Sequence, residues 1–275
     1  MIFKAHDISQ PLAQHIESIF HYEQFKPDHS KERVVPTGHV HLIFELDGFV
    51  RHTYDGETLA VNGTHSKVWI AGMKTRHISI SAHQNSEMFV VQFKPGGAYP
   101  FFHFPIENLN GKVVQTEELF GDELINLREQ LLSGGSPESK FKLAEDWLLQ
   151  RLDKSRAPSN ELLQIISKLQ SEPVANLNSI IEAYPNTQQH LIRQFKKYVG
   201  LTPKVFQRII RFNDLLKRIQ NKETITWAQI AFECGYSDQP HFIKEFKHFS
   251  GFNPCEFIKM DHNQQGNFFP LDREG

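Results

Sequence analysis

The sequence predicts an α+β protein of two domains, with an acidic, β-rich front half and an all-helical, locally basic back half. Three observations carry that reading. Short alternating hydrophobic runs and turn residues fill roughly the first 110 positions, helical periodicity takes over after about residue 117, and a 17-residue stretch near the C-terminus occurs twice. At 275 residues the chain is long enough to bury two cores of ordinary size without disulfides or metal to hold them.

Composition sets the outer limits. Hydrophobic residues make up 39% and charged residues 23%, as in soluble globular proteins. No apolar run nears the roughly 20 residues that cross a bilayer, so no membrane association is expected. The opening MIFKAHDISQPLAQH lacks the basic start, apolar middle and small-residue cleavage site of a secretory leader. Two cysteines, Cys234 and Cys255, are too few for a disulfide framework or a metal motif of their own. The expectation is a cytoplasmic protein with no metal or other cofactor and no catalytic residue.

The front half reads as strands. VHLIFELDGFVRHTYDG alternates at Val40, Leu42, Phe44 and Leu46 before an Asp47-Gly48 turn. HISISAHQNSEMFVVQF adds runs at Ile78/Ile80 and Met88 to Phe93, and Asp55-Gly56 and Asn62-Gly63 mark further hairpins. Several short strands so spaced predict a sandwich or small barrel over about residues 5 to 110. EELFGDELINLREQLL and KFKLAEDWLLQRLD then predict two helices between 117 and 152, whose face with Phe141, Trp147 and Leu148 is a candidate homodimer contact. DKSRAPSN, polar and Pro-containing, suits a linker. The expected division is 1–152 for the front domain, 153–171 for linker and leading helix, 172–262 for the repeated helical domain and 263–275 for a polar tail in which Phe268-Phe269 can dock.

The repeat pairs HLIRQFKKYVGLTPKVF, from His190, with HFIKEFKHFSGFNPCEF, from His241. Extended backward, Ile180–Phe206 aligns without a gap on Ala231–Phe257, with Glu, Gln, His, Ile, Phe, Lys, Gly, Pro and Phe recurring in place. Two copies mean one supersecondary unit duplicated, since solenoids need about three. Each copy has the punctuation of helix, tight turn, helix. In the second, Gly235 can end one helix left-handed and Ser237 or Asp238 can cap the next. That next helix buries Phe242, Phe246 and Phe249 and exposes Gln239, His241, Lys244 and Lys247. Polar residues near the start of an exposed second helix are what a helix-turn-helix offers to base edges, while lysines further along meet phosphate. Thr202-Pro203 and Asn253-Pro254 start one more helix after each copy.

Between the copies, TPKVFQRIIRFNDLLKRIQ carries an apolar stripe at Phe206, Ile209, Ile210, Leu216 and Ile219. Its 18 or so helical residues span about 27 Å. That length is near the roughly 34 Å separation of successive major-groove faces, so one chain can present two reading helices to one duplex. Charge supports a nucleic-acid partner: residues 186–222 hold nine Lys/Arg (Arg193, Lys196, Lys197, Lys204, Arg208, Arg211, Lys217, Arg218, Lys222) against Asp214 alone, whereas residues 1–152 hold 14 against 19 acids.

With IAFECGYSDQPHFIKEFKHFSGFNPCEF in hand, residues 172 to 260 resemble the DNA-binding domain of the AraC/XylS family of bacterial transcription regulators. The resemblance implies two helix-turn-helix subdomains joined by a helix, binding double-stranded DNA. It assigns base-facing roles to Gln189, Ile192 and Arg193 in the first copy and to Gln239, His241 and Lys244 in the second, with Lys196, Lys197 and Lys247 beside them. Arg193 stands out because its guanidinium can read a guanine bidentately. The first copy departs from the pattern: AYPNT stands where the second has CGYSD, so Tyr184 takes the glycine position, Pro185 disfavours helical geometry there, and Thr187 is left as the cap.

The resemblance further implies a cupin-like front β-barrel followed by dimerising helices, a small-molecule effector and, for an activator, RNA polymerase as a partner. PTGHVHLIFEL is loosely similar to the opening of a subgroup of such regulators. Within it, His39, His41 and Glu45 match the H-x-H-x-x-x-E start of metal-binding cupins, with His77 as a further ligand, so the alternative is a metal-dependent cupin-type enzyme or sensor. The glycine spacing after Glu45 and the missing second-motif histidine weigh against it. A repair protein with a reactive front-half cysteine is excluded, since none precedes Cys234. Cys255, at a helix start, is a weak redox candidate beside an ordinary structural role.

Overall fold

The computed structural model describes residues 1–220, 225–257, 259 and 267–272. Two antiparallel sheets form the front half. Their strands are β1 (Ile2–Ala5), β2 (Ile16–Phe25), β3 (Lys31–Val34), β4 (Val40–Glu45), β5 (Arg51–Tyr54), β6 (Val61–His65), β7 (Val68–Ala71), β8 (Ile78–Ser81), β9 (Ser86–Phe93), β10 (Val113–Gln115) and β11 (Phe268–Pro270). One sheet runs β1-β2-β9-β4-β7-β10 and the other β11-β3-β8-β5-β6. The sheets share no strand, so of the sandwich or small barrel that the sequence predicts, this is a cupin-like sandwich of two layers.

The period-2 pattern of β4 serves two cores at once. Leu42 and Phe44, both wholly buried, join Phe89 and Val91 on one face. That face is covered by α3 (Glu123–Ser133) and α4 (Pro137–Arg151), with the Phe89 and Phe141 rings 5.5 Å apart. On the opposite face, Ile43 packs with Trp69 and Val90 of the neighbouring strands. Phe141 and Leu148, expected at a dimer contact, are consumed in this core, and Trp147 donates to Glu123 at 2.8 Å. Two single-turn helices, α1 (Tyr99–Phe102) and α2 (Glu117–Phe120), pack against α4 and α3 respectively.

The back half is helical: α5 (Asn160–Ser171), α6 (Leu177–Glu182), α7 (Gln188–Val199), α8 (Pro203–Ile219), α9 (Trp227–Glu233), α10 (Gln239–Ser250) and α11 (Pro254–Phe257). The stripe on α8 comprises Phe206, Ile209, Phe212, Leu215 and Ile219, all buried, while Ile210 and Leu216 sit at its half-buried edge. One hydrophobic cluster runs through both halves. They meet where Gly38, at φ +82°, lies against Phe206 and Ile210, and where Asn213 donates to the Pro36 carbonyl at 3.0 Å. The tail returns to the front half: β11 pairs with β3, and Phe269 packs against Phe257 at 5.0 Å.

Glu45 has a structural task. Its buried carboxylate accepts from Arg51 Nε and from Trp69 Nε1, each at 3.0 Å, and so ties β4 to β5 across the two sheets. Arg51 also reaches Asp47 and, at 3.1 Å, Ser86. Removing one partner of a buried pair leaves an uncompensated charge, which costs about 3–5 kcal/mol. Asp47 still faces Arg51, so Glu45→Ala is expected at the lower end of that range, measured as a loss of unfolding free energy in urea.

Candidate nucleic-acid interface

Each half of the repeat builds the same corner. Thr187 caps α7, accepting from the His190 amide at 3.2 Å, and Asp238 caps α10, accepting from the His241 amide at 2.7 Å. Both helices end in a left-handed glycine, Gly200 at φ +90° and Gly251 at φ +75°, where a side chain would be strained. Thr202 then caps α8, accepting from the Val205 amide, and Asn253 accepts from the Cys255 amide at the start of α11. The turns before the reading helices differ. In the second copy Gly235 adopts φ +73°, whereas in the first Tyr184 is buried and its hydroxyl meets His190 Nδ1 at 3.1 Å with the rings stacked. A phenol-imidazole contact thus stands where the second copy relies on glycine.

The inner faces are apolar. Leu191, Phe195 and Val199 of α7 and Phe242, Phe246 and Phe249 of α10 are all but inaccessible to water. Outward, Gln189, Arg193 and Lys196 on α7 are exposed and Ile192 half-exposed, and so are Gln239, His241, Lys244 and Lys247 on α10. Arg193 and Lys196 make no ion pair among the described residues. Lys197 is placed elsewhere, its ammonium 4.7 Å from the centre of the Tyr99 ring in the front half.

The basic stretch is less available than its count implied. Arg208 and Arg211 on α8 are both bound to Glu245 of α10, at 2.6 and 2.7 Å. Arg218 is held by Asp214 at 2.7 Å, and Lys222 lies outside the described residues. Glu245, with a side chain 2% exposed, was not singled out in the sequence. Its signal was an acid inside the otherwise apolar and basic HFIKEFK run, facing an Arg pair three apart on α8. Burial works against its charge, but the Arg211 and Arg208 guanidiniums outweigh it and hold the carboxyl below its ordinary value of 4.5.

The proposed metal ligands are not assembled. The His39 and His41 rings lie 6.4 Å apart, burial pushes His41 down to about 3, Glu45 is bound to Arg51 and Trp69, and His77 meets the back half at the His248 carbonyl. Among the described residues, the group whose donor atoms do converge is His21, Glu23 and Glu87. Its Glu87 carboxylate already accepts from His21 at 2.8 Å and lies 3.8 Å from the Lys140 ammonium. Cys234 is buried with its thiol pushed up to about 11 by burial, and Cys255 is exposed.

Glu245→Gln should therefore loosen α10 from α8 and lower stability by about 1–3 kcal/mol, the cost of losing a charged hydrogen-bond partner. Because the folded carboxyl lies below its ordinary value, its contribution is present above about pH 4.5 and fades as pH falls. The stability gap between wild type and variant, measured by urea unfolding, should accordingly shrink from neutral pH toward pH 4.

Comparison with known proteins places this geometry. A family model described as a helix-turn-helix domain matches residues 184–260, and one described as a domain of unknown function (DUF6597) matches residues 6–115. The uncharacterized HTH-type transcriptional regulator YbfI of Bacillus subtilis is 26% identical over 194 residues, covering 68% of this chain and 69% of its own. The HTH-type transcriptional activator RhaS of Pectobacterium carotovorum is 28% identical over 138 residues, 49% of this chain, which spans only 42% of that relative. Among solved structures, ToxT from Vibrio cholerae superposes with a TM-score of 0.44 at 12% identity over 94% of this chain and 98% of its own. No helix among the described residues is long and apolar enough to cross a membrane. The duplicated corner and its caps agree with the helix-turn-helix match over residues 184–260, and the chain is similar to helix-turn-helix transcription regulators.

Proposed function

We propose that the protein reads a specific DNA sequence with α7 and α10 entering successive major grooves of one duplex, and that a small molecule acting on the front domain controls this binding. The carrying observation is that two copies of one corner, each capped by an oxygen side chain, present exposed polar faces before and after a single joining helix, α8, in the chain. Arg193 suits a guanine, Gln189 and Gln239 suit adenine, and Lys196 and Lys247 suit phosphate. A regulator has no need of catalytic residues, and we read the protein as a non-enzyme that works in the cytoplasm.

Control by an effector is supported by a cavity of about 500 Å³ between the halves. His39 and Gln92 from the front half face Gln170, Asn213 and Lys217 of the helical half across it, with Phe269 of the tail at the wall. Amides, an imidazole with an unpartnered Nδ1 and an ammonium beside an aromatic wall can hold a small polar molecule that touches both halves.

Selection of binding sites from a random duplex pool tests the reading. Arg193→Ala and Lys244→Ala should each relax preference in one half of the recovered site only, with a loss of about 1–3 kcal/mol on the wild-type sequence. The loss of preference should be smaller for Arg193, whose helix follows the non-glycine turn. Affinity should fall steeply with salt, and removing Lys217 should at most weaken binding to all sequences alike. Unchanged preferences in both single variants would withdraw the base-reading roles.

A further inference from the structure

Two polar residues of α7 that the reading face leaves unused lie in the row beside it. His190 and Gln194 are four apart and half-buried, next to the exposed row of Gln189 and Arg193. The turn before the helix holds His190 twice. Thr187 accepts from its amide at 3.2 Å, and the Tyr184 hydroxyl stands 3.1 Å from Nδ1 of its ring, with the two rings stacked 18° from parallel. Nε2, on the far side of the imidazole, lies 3.5 Å from the Gln194 side-chain amide, at the limit of a hydrogen bond. A phenol is protonated at neutral pH, and burial raises that of Tyr184 further. A neutral imidazole carries one N–H, so with the Tyr184 hydroxyl donating to Nδ1 that N–H sits on Nε2.

The second copy fills the same positions differently. His241 and Glu245 are the duplicates of His190 and Gln194. There the Tyr236 ring meets the imidazole edge-on at 5.6 Å, Ser237 Oγ stands 3.5 Å from Nδ1, and Nε2 lies 3.9 Å from a carboxylate that Arg208 and Arg211 already bind. His241 is exposed and loosely held. A carboxylate beside an imidazole repels phosphate, whereas residues 183–213 contain no acid. Of the two duplicated histidines, His190 is the one whose N–H lies in a field that suits an anion.

We infer that His190 is a further DNA-contacting residue, donating from Nε2 to a backbone phosphate at the edge of the first half-site, and that Tyr184 is the positioning residue that orients it. Space brings the phosphate there. A helix with its side chains is about 10–12 Å across and the major groove about 12 Å wide, so an inserted helix fills the groove and the row beside its reading face meets the phosphate wall. A hydrogen bond to an anion is about twice as strong as a neutral one, so phosphate displaces the long Gln194 contact. Phosphate contacts fix register and carry no sequence information. The copy whose turn lacks glycine thus uses a tyrosine to aim a contact. The assignment rests on the DNA-reading function proposed above.

The test uses the full-length protein and the duplex recovered from the random pool. At about pH 8, above the ordinary histidine range, nitrogen-15 resonances of the His190 ring should show an unprotonated, hydrogen-bonded Nδ1 and a protonated Nε2. Addition of duplex should move the Nε2 signal and leave that of Nδ1 in place. His190→Gln, which keeps a donor near the place of Nε2, should bind within about threefold of wild type, and His190→Asn, which does not reach it, about tenfold more weakly. Both should recover the wild-type sequence from the pool. Tyr184→Phe, which keeps the ring stack, should bind about two- to tenfold more weakly, the cost of ordering a loosened side chain, and should cost nothing further in the His190→Asn background. A tyrosine that served the fold alone would instead give additive losses. A proton on Nδ1, an Nε2 signal unmoved by duplex, or additive losses in the double variant overturns the assignment while leaving DNA reading intact. Recovery of no duplex by the wild type overturns the DNA-reading function and the assignment with it.

Discussion

A single carboxylate, Glu245, fixes how the second reading helix stands on the rod that joins the two. Apolar packing of Phe246 and Phe249 against Phe212, at 5.6 and 5.2 Å, draws α10 onto α8 but has little directional preference. The two arginines supply the direction. With Arg208 and Arg211 three residues apart on α8, only a narrow range of rotations of α10 lets one carboxylate meet both guanidiniums. A buried charge left half-paired is costly, so other rotations are disfavoured as alternatives and not merely as distortions. Among the described residues, the first copy has no such ion pair. There Phe195 packs on Phe206 at 5.6 Å, and the Tyr184-His190 stack braces the turn from inside. Two corners of common descent have reached the same outline by different chemistry.

The front sandwich uses charge in the same manner. Glu45 and Arg51 join sheets that share no hydrogen-bonded strand, and Arg128 of α3 donates to the Glu45 carbonyl at 2.6 Å. One residue thus sets the spacing of the two sheets and seats the helix that covers one of them. A surface that must register against the helical half at Pro36, Thr75 and Ile106 needs such rigidity, because those contacts come from three separate loops.

Local punctuation was legible in the sequence because its causes are local. Thr187, Asp238, Thr202 and Asn253 act as caps where a hydroxyl, carboxylate or amide precedes a helix, and Gly235 follows α9 in the left-handed region. The destinations of charges were not legible. Arg208 is 37 positions from Glu245, and Lys197 meets an aromatic ring nearly a hundred residues away, so counting them toward a phosphate surface overstated it. The H-x-H-x-x-x-E pattern misled for a related reason. Alternation does put His41, Ile43 and Glu45 on one face of β4, but the turn that follows carries the chain into the other sheet and brings Arg51 back to claim the carboxylate. Phe141 and Leu148 had the periodicity of a contact face, and periodicity does not say whether the surface it meets belongs to the same chain.

The tail strand gives the molecule an unusual connectivity. Because β11 pairs with β3, and Asp272 accepts from the Ser30 and Lys31 amides at 3.0 and 2.8 Å, residues on both sides of the helical half belong to the front sandwich. The helical half is in effect an insertion, leaving the sandwich after α4 and returning to it at residue 268. A domain tied at two points cannot tumble freely on a linker; it can only swing like a flap about the line joining its tethers. The sheet edge that accepts the tail is built partly from residues that follow the helical half in the chain, so the sandwich completes itself only after the whole helical half has been made.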